Sequence, residues 1–193
     1  MKICVFGAAS NEINHEYIKE AEIFGELMAK RGHSLVFGAG KNGMMGACAR
    51  GVSKENGEIQ GVIPSFFREE NIEQIYDKCT ELIFTETMAE RKTKMEDLAD
   101  AFVIVPGGIG TFEEMFEVLT LKQLGRHTKP IAIYDIKNYY KNLEELLQNS
   151  YRERFIRSDC RKLYFCSTDP DEILNYLEND TRTAIDVHEL KNG

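Results

Sequence analysis

The chain has 193 residues, 42% of them hydrophobic and 29% charged, with a formal net charge of −8. That length suits one globular domain able to bury about 70% of its unfolded surface, and no apolar run reaches the roughly 20 residues of a membrane-spanning helix. The acidic balance argues against nucleic-acid binding through clustered Lys and Arg, so any anion the chain holds must be held by local geometry.

The N-terminal "MKICVFGAAS" is too short in its apolar run for a signal peptide and reads as a first strand, which points to a cytoplasmic protein. "NHEYIKEAEIFGELMAKRG" follows with helical spacing of Ile18, Ala21, Phe24, Leu27 and Met28 before Gly32. Then come strand "SLVFG", the short helix "GMMGACARGVSKENG" and strand "EIQGVIP"; residues 65–78 carry no clear pattern. Strand "ELIFT", helix "ETMAERKTKMEDLA", strand "AFVIVP" and helix "TFEEMFEVLTLKQLG" continue the alternation, followed by strand "KPIAIYD", helix "YYKNLEELLQNSY", strand "KLYFC" and helix "DPDEILNYLEN". Apolar strands separated by helices predict a doubly wound parallel sheet, a Rossmann-like α/β fold with helices on both faces. One domain is expected over residues 1–180, with 181–193 loosely attached.

Cys4, Cys48, Cys79, Cys160 and Cys166 are scattered without C-x-x-C spacing and read as free thiols of a reducing compartment. His15, His33, His127 and His188 are equally dispersed, so no metal site is expected.

In such sheets ligands sit beyond the carboxyl ends of the strands, where the strand order reverses, and three glycine turns fall there. "FGAAS", Gly7 to Ser10, reads equally well as a plain strand-to-helix turn. "FGAGKNGMMG" has G-x-G-x-x-G spacing at Gly38, Gly40 and Gly43, yet the following strand ends in Pro64 and Ser65 rather than in an acid for a ribose. That disfavours a redox dinucleotide and leaves a glycine loop able to approach a phosphate. In "VIVPGGIGTFEE", Pro106 ends a strand, Gly107, Gly108 and Gly110 bare the backbone, and Thr111 is placed to cap the next helix. Amides at a helix N-terminus bind phosphate without net positive charge.

Glu113 and Glu114 are expected in the first turn of that helix, where dipole complementarity alone would explain them. Phe112, Met115, Phe116 and Leu119 mark its buried stripe, and Glu114 lies off it, close to the anion site, where a chemical role becomes testable. On the preceding helix Met88, Met95 and Leu98 set the apolar arc, with Glu90, Lys94 and Asp97 opposite. Arg91 falls inside the apolar arc and Lys92 at its edge, so each needs an anionic partner, either a protein carboxylate or a ligand.

"MAERKTKMEDLADAFVIVPGGIGTFEEMFEVLTLKQLGRHTKPIAIYD" resembles the Lonely Guy (LOG) family of cytokinin riboside 5'-monophosphate phosphoribohydrolases, marked by an R-K pair and P-G-G-x-G-T-x-x-E. "FGAGKNGMMG" and "KICVFGAAS" match that family's glycine loop and first strand. Ala89 and Leu121 depart from the plant pattern, where a His and a Trp are common, which bears on the base rather than the reaction. Relatives also carry a "lysine decarboxylase" label that no cofactor motif here supports.

The resemblance implies hydrolysis of the N-glycosidic bond of a nucleoside 5'-monophosphate, a cytokinin riboside 5'-monophosphate or AMP, to free base and ribose 5-phosphate, with no cofactor or metal. It implies Glu114 and Arg91 as catalytic residues. It implies Ser10, Gly40, Lys92, Gly107, Gly108, Ile109, Gly110, Thr111, Phe112 and Glu113 as substrate-binding. Family relatives associate at least as dimers with the active site near the subunit contact, so a homodimer or higher oligomer is expected, with Met115, Phe116 and Leu119 serving core and interface. A small-molecule partner is expected, and neither nucleic acid nor membrane. The competing reading is a non-catalytic nucleotide or cofactor carrier on the same fold.

Overall fold

A computed structural model of the chain describes residues 1–70 and 72–181. In chain order it forms β1 (Lys2–Phe6), α1 (His15–Lys30), β2 (Ser34–Phe37), α2 (Gly43–Lys54), β3 (Ile59–Pro64), α3 (Ser65–Glu69) and β4 (Glu81–Thr85). The second half continues with α4 (Met88–Leu98), β5 (Ala101–Ile104), α5 (Ile109–Gln123), β6 (Ile131–Tyr134), α6 (Lys141–Arg152), β7 (Phe165–Ser167) and α7 (Pro170–Asn179). All strand pairs are parallel, in the order β4-β3-β2-β1-β5-β6-β7.

The inner strands are buried on both faces, which is why they are continuous apolar runs. Ile3, Val5, Leu35, Phe37 and Val103 point to one side, against Phe24 and Met28 of α1, Met44 of α2 and Ile173 of α7. Cys4, Phe6, Val36, Phe102 and Ile104 point to the other, against Met95 of α4, Met115 and Val118 of α5 and Leu147 of α6. Helix starts are fixed locally: the side chains of Asn14, Thr87 and Asp169 accept from the amides of Glu16, Glu90 and Asp171.

The chain steps outward from β1 to β4 and then returns across α4 to lay β5 on the other side of β1. The reversal therefore falls between β1 and β5, and the turns that leave these two strands face each other across a crevice. Of residues 65–78, patternless in the sequence, Ser65–Glu69 form α3 and 72–78 a strap. Gly40 pairs with Ile75 in an antiparallel bridge, the Lys41 amide donates to the Gln74 carbonyl at 2.8 Å, and the Tyr76 amide donates to the Ala39 carbonyl at 2.8 Å.

The last strand is shorter than expected, because Leu163 ends a 3-10 turn over Ser158–Leu163 and only Phe165–Ser167 pairs with β6. Of the segment expected to be loosely attached, residues 182–193 lie outside the described residues. The five cysteines are unpaired thiols. Among the described residues no helix is long and apolar enough to cross a membrane, and no group of three or more His, Cys, Asp or Glu is placed to hold a metal ion.

Candidate active site

The turn after β5 exposes donors and hides acceptors. Tyr140 donates its hydroxyl to the Val105 carbonyl at 2.9 Å and Tyr139 to the Gly107 carbonyl at 2.6 Å. The Ala8 amide donates to the Pro106 carbonyl at 3.1 Å, and the Phe112 amide to the Gly108 carbonyl at 2.9 Å. Every carbonyl from Val105 to Gly108 is thus occupied. Gly108 is the N-cap of α5 and offers no side chain to its amides. The first amides of α5 are left as orphan donors, with the helix dipole behind them.

Thr111 does not cap this helix. The backbone is already helical at Ile109, so Thr111 lies inside the first turn, only 4% exposed, with its side chain over Gly107. The same early start moves Glu113 and Glu114 into the second turn, where the dipole contributes less. Their placement needs another reason.

The glycine loop after β2 differs. Its helix, α2, has its first amides satisfied by protein: Gly43 donates to Asn11 Oδ1 at 2.8 Å, and Met44 and Met45 to the Ala8 carbonyl at 2.8 Å and 3.4 Å. The phosphate loop expected there is closed by the chain itself.

Between β1 and β5 lies a cavity of about 360 Å³ lined by Gly7, Ala8, Ala9, Ser10, Met45, Glu73, Arg91, Gly108, Gly110, Thr111 and Glu114. Arg91 is 5% exposed. Its Nε donates to the Val62 carbonyl at 3.2 Å, its Nη1 faces Met88 Sδ at 4.0 Å, and the guanidinium stands 6.0 Å from the Phe67 ring centre. Among the described residues no carboxylate forms an ion pair with it, which leaves a buried cation facing the cavity. Glu114 shares that cavity. Burial pushes its carboxyl up to about 7 against the pull of Arg91, with Glu113 adding a smaller push.

Lys92 resolves the other way. It pairs with Glu113 and with Glu117, the latter at 2.8 Å, and does not line the cavity. Of the two inward cations, Lys92 is satisfied by protein carboxylates and Arg91 faces the cavity without an ion pair among the described residues. Ser10, Arg91, Gly108, Gly110, Thr111 and Glu114 converge on the cavity, whereas Gly40, Lys92, Gly107, Ile109, Phe112 and Glu113 do not line it. Ile109 is 87% exposed, and Phe112 turns toward the Tyr140 ring, 6.2 Å away. Phe116, expected in the buried stripe, is 42% exposed, and Val118 fills that place instead, because the face that α5 turns to the sheet is centred on Thr111, Met115, Val118 and Lys122.

Two lining residues carry no signal in the sequence pattern, Met45 and Glu73. Glu73 sits on the strap, its Oε1 buried without a hydrogen-bond partner among the described residues. Burial raises its carboxyl above the usual range while Arg91 pulls it down.

A sequence profile of the family described as "Possible lysine decarboxylase" matches residues 45–177. A "Probable cytokinin riboside 5'-monophosphate phosphoribohydrolase" of Oryza sativa subsp. japonica is 35% identical over 96% of this chain and 82% of its own. A cytokinin riboside 5'-monophosphate phosphoribohydrolase of Arabidopsis thaliana is 33% identical over 92% of this chain and 82% of its own. Among solved structures, the molybdenum cofactor binding protein of Rippkaea orientalis aligns with a TM-score of 0.68 at 18% identity, over 92% of this chain and 94% of that one. The molybdenum cofactor carrier protein MCP of Chlamydomonas reinhardtii aligns with a TM-score of 0.69 at 19% identity, over 92% and 95%. Those two likenesses are of fold alone. Identity of the first kind, held across nearly the whole chain, is decisive: the chain belongs to the Lonely Guy (LOG) family of phosphoribohydrolases, enzymes that hydrolyse N-glycosidic bonds.

Proposed function

We propose that this chain hydrolyses the N-glycosidic bond of a nucleoside 5'-monophosphate, a cytokinin riboside 5'-monophosphate or AMP, to free base and ribose 5-phosphate. The observation that carries the reading is the convergence on one cavity of open helix amides, a carboxylate and an unpaired guanidinium. The 5'-phosphate binds the amides at the start of α5, with Ser10 on the opposite turn. The ribose then lies over Glu114. Cleavage of the bond from the anomeric carbon to the base nitrogen builds oxocarbenium-like charge on the sugar, which the Glu114 carboxylate stabilises. The same carboxylate takes a proton from the attacking water as oxygen joins the anomeric carbon. The base leaves with the electron pair of the broken bond and takes a proton from solvent, to which Glu114 returns the proton it took from the water, so the enzyme ends the cycle unchanged. Arg91 stays protonated throughout, so it orients the substrate or stabilises charge on the departing base rather than donating the proton.

Glu114→Gln tests this directly. Release of free base from AMP and from isopentenyl-AMP should fall on the order of 100-fold or more, while nucleotide affinity changes little, because the amides of α5 do not depend on that side chain. Near-normal turnover in the variant would sink the assignment. A wild-type protein that binds nucleotide and releases no base would instead favour a carrier.

Assembly belongs to the same proposal. Met115 is fully buried in the core and is not free for an interface, but Ile109 and Phe116 are exposed on α5. That ridge is assigned to a second copy of the chain. Light scattering at micromolar concentration should give at least a dimer, and Phe116→Asp should shift it toward monomer; a monomeric wild type would remove the assignment.

A further inference from the structure

The glycine loop after β2 spends its glycines in an unexpected place. The non-glycine residue in this loop with a left-handed backbone is Ala39, at φ 61°, which is fully buried. An L-residue with a Cβ meets that conformation at a cost of roughly 1–2 kcal/mol. Gly38 and Gly40 flank it without a left-handed φ. Backbone freedom therefore does not explain them.

What each would collide with does. A Cβ on Gly38 would overlap Arg91 Nη2 and lie 2.9 Å from Cζ of the same guanidinium. A Cβ on Gly40 would overlap Glu73 Oε1 and lie 2.7 Å from its Cδ. Both obstacles are the far ends of side chains that line the cavity, so neither glycine is demanded by main-chain packing. Gly43, the third of the motif, has φ +61° and meets the backbone of Ala8 and Ala9, a structural reason.

We propose that Gly38 and Gly40 are positioning residues: two slots in the floor of the site that seat the Arg91 guanidinium and the Glu73 carboxylate. The motif that reads as a phosphate loop is, on this view, a rack for side chains, and the phosphate is held on α5. The inference rests on the proposed reading of the cavity as the catalytic site.

Gly38→Ala should fold with a melting temperature within a few degrees of wild type, since the guanidinium tip can swing aside, and should release base at least tenfold more slowly. Arg91→Lys supplies the discriminating background, because an ammonium has no Nη2 to collide. Gly38→Ala added to Arg91→Lys should slow that enzyme by less than twofold. Gly40→Ala paired with Glu73→Asp, one methylene shorter, should show the same loss of effect. Equal slowing by Gly38→Ala with and without Arg91→Lys would overturn the slot alone. Normal turnover of Arg91→Ala would overturn the reading of the cavity, and the slot with it.

Discussion

Two helices of this molecule begin in glycine-rich turns on the same rim of the sheet, and they end up electrically opposite. At α2 the amides of Gly43, Met44 and Met45 are spent on Asn11 and Ala8, so the dipole is answered inside the fold. At α5 no side chain answers it, and the carbonyls that might have done so are bonded elsewhere. A glycine turn before a helix is therefore only an opportunity for anion binding. What decides is whether a neighbouring acceptor reaches the amides first.

The sharpest way to break the contrast is to close the open end. No neighbouring atom comes within 4 Å of a Cβ at Gly108, and its backbone is extended, so Gly108→Asp fits and brings a capping carboxylate to α5. It should stabilise the fold by up to about 1 kcal/mol while weakening nucleotide binding on the order of 100-fold, the cost of losing charge-assisted donors. Calorimetric titration beside thermal melting reads both signs; a stabilised variant that binds as tightly as wild type would mean that phosphate is held elsewhere.

A medium effect tests the carboxylate that the open end faces. In the proposed mechanism Glu114 acts ionised, so kcat/KM should rise with pH and level off above about 7, where its raised pKa lies. Stability runs the other way. The fold favours the neutral acid, a contribution present below the ordinary carboxylate value of 4.5 and lost as pH rises through about 7. Glu114→Gln should accordingly gain in melting temperature over wild type between pH 5 and pH 8; no gain would mean that the carboxyl is not raised.

The smallest effect is expected at the closed end. Asn11→Ala removes the acceptor of the Gly43 amide and should cost about 1 kcal/mol, as a lost cap does. Nucleotide affinity should be unchanged. A tighter-binding variant would show that α2, once uncapped, competes for phosphate.

How legible was this in the sequence? The strands were, because burial on both faces leaves uninterrupted runs such as Ile3 to Phe6 and Ala101 to Ile104. Arg91 was too, since helical spacing from Met95 fixes its face whatever the tertiary structure. Thr111 misled because T-x-x-E is the signature of a capping box, and only the backbone decides that the helix has begun two residues earlier. Glu73 was invisible. Its position comes from two main-chain hydrogen bonds between the strap and the glycine loop, which impose no side-chain period. Lys92 and Arg91, adjacent and alike in the pattern, were separable only once α5 brought Glu113 and Glu117 to one of them.

The two tyrosines over the β5 turn carry one more consequence. With Tyr139 and Tyr140 holding the Gly107 and Val105 carbonyls, the turn cannot rotate a peptide to present oxygen to a visitor. Two hydroxyls that lie outside the cavity lining thus give the turn a single polarity: what it shows the crevice is N–H and not C=O.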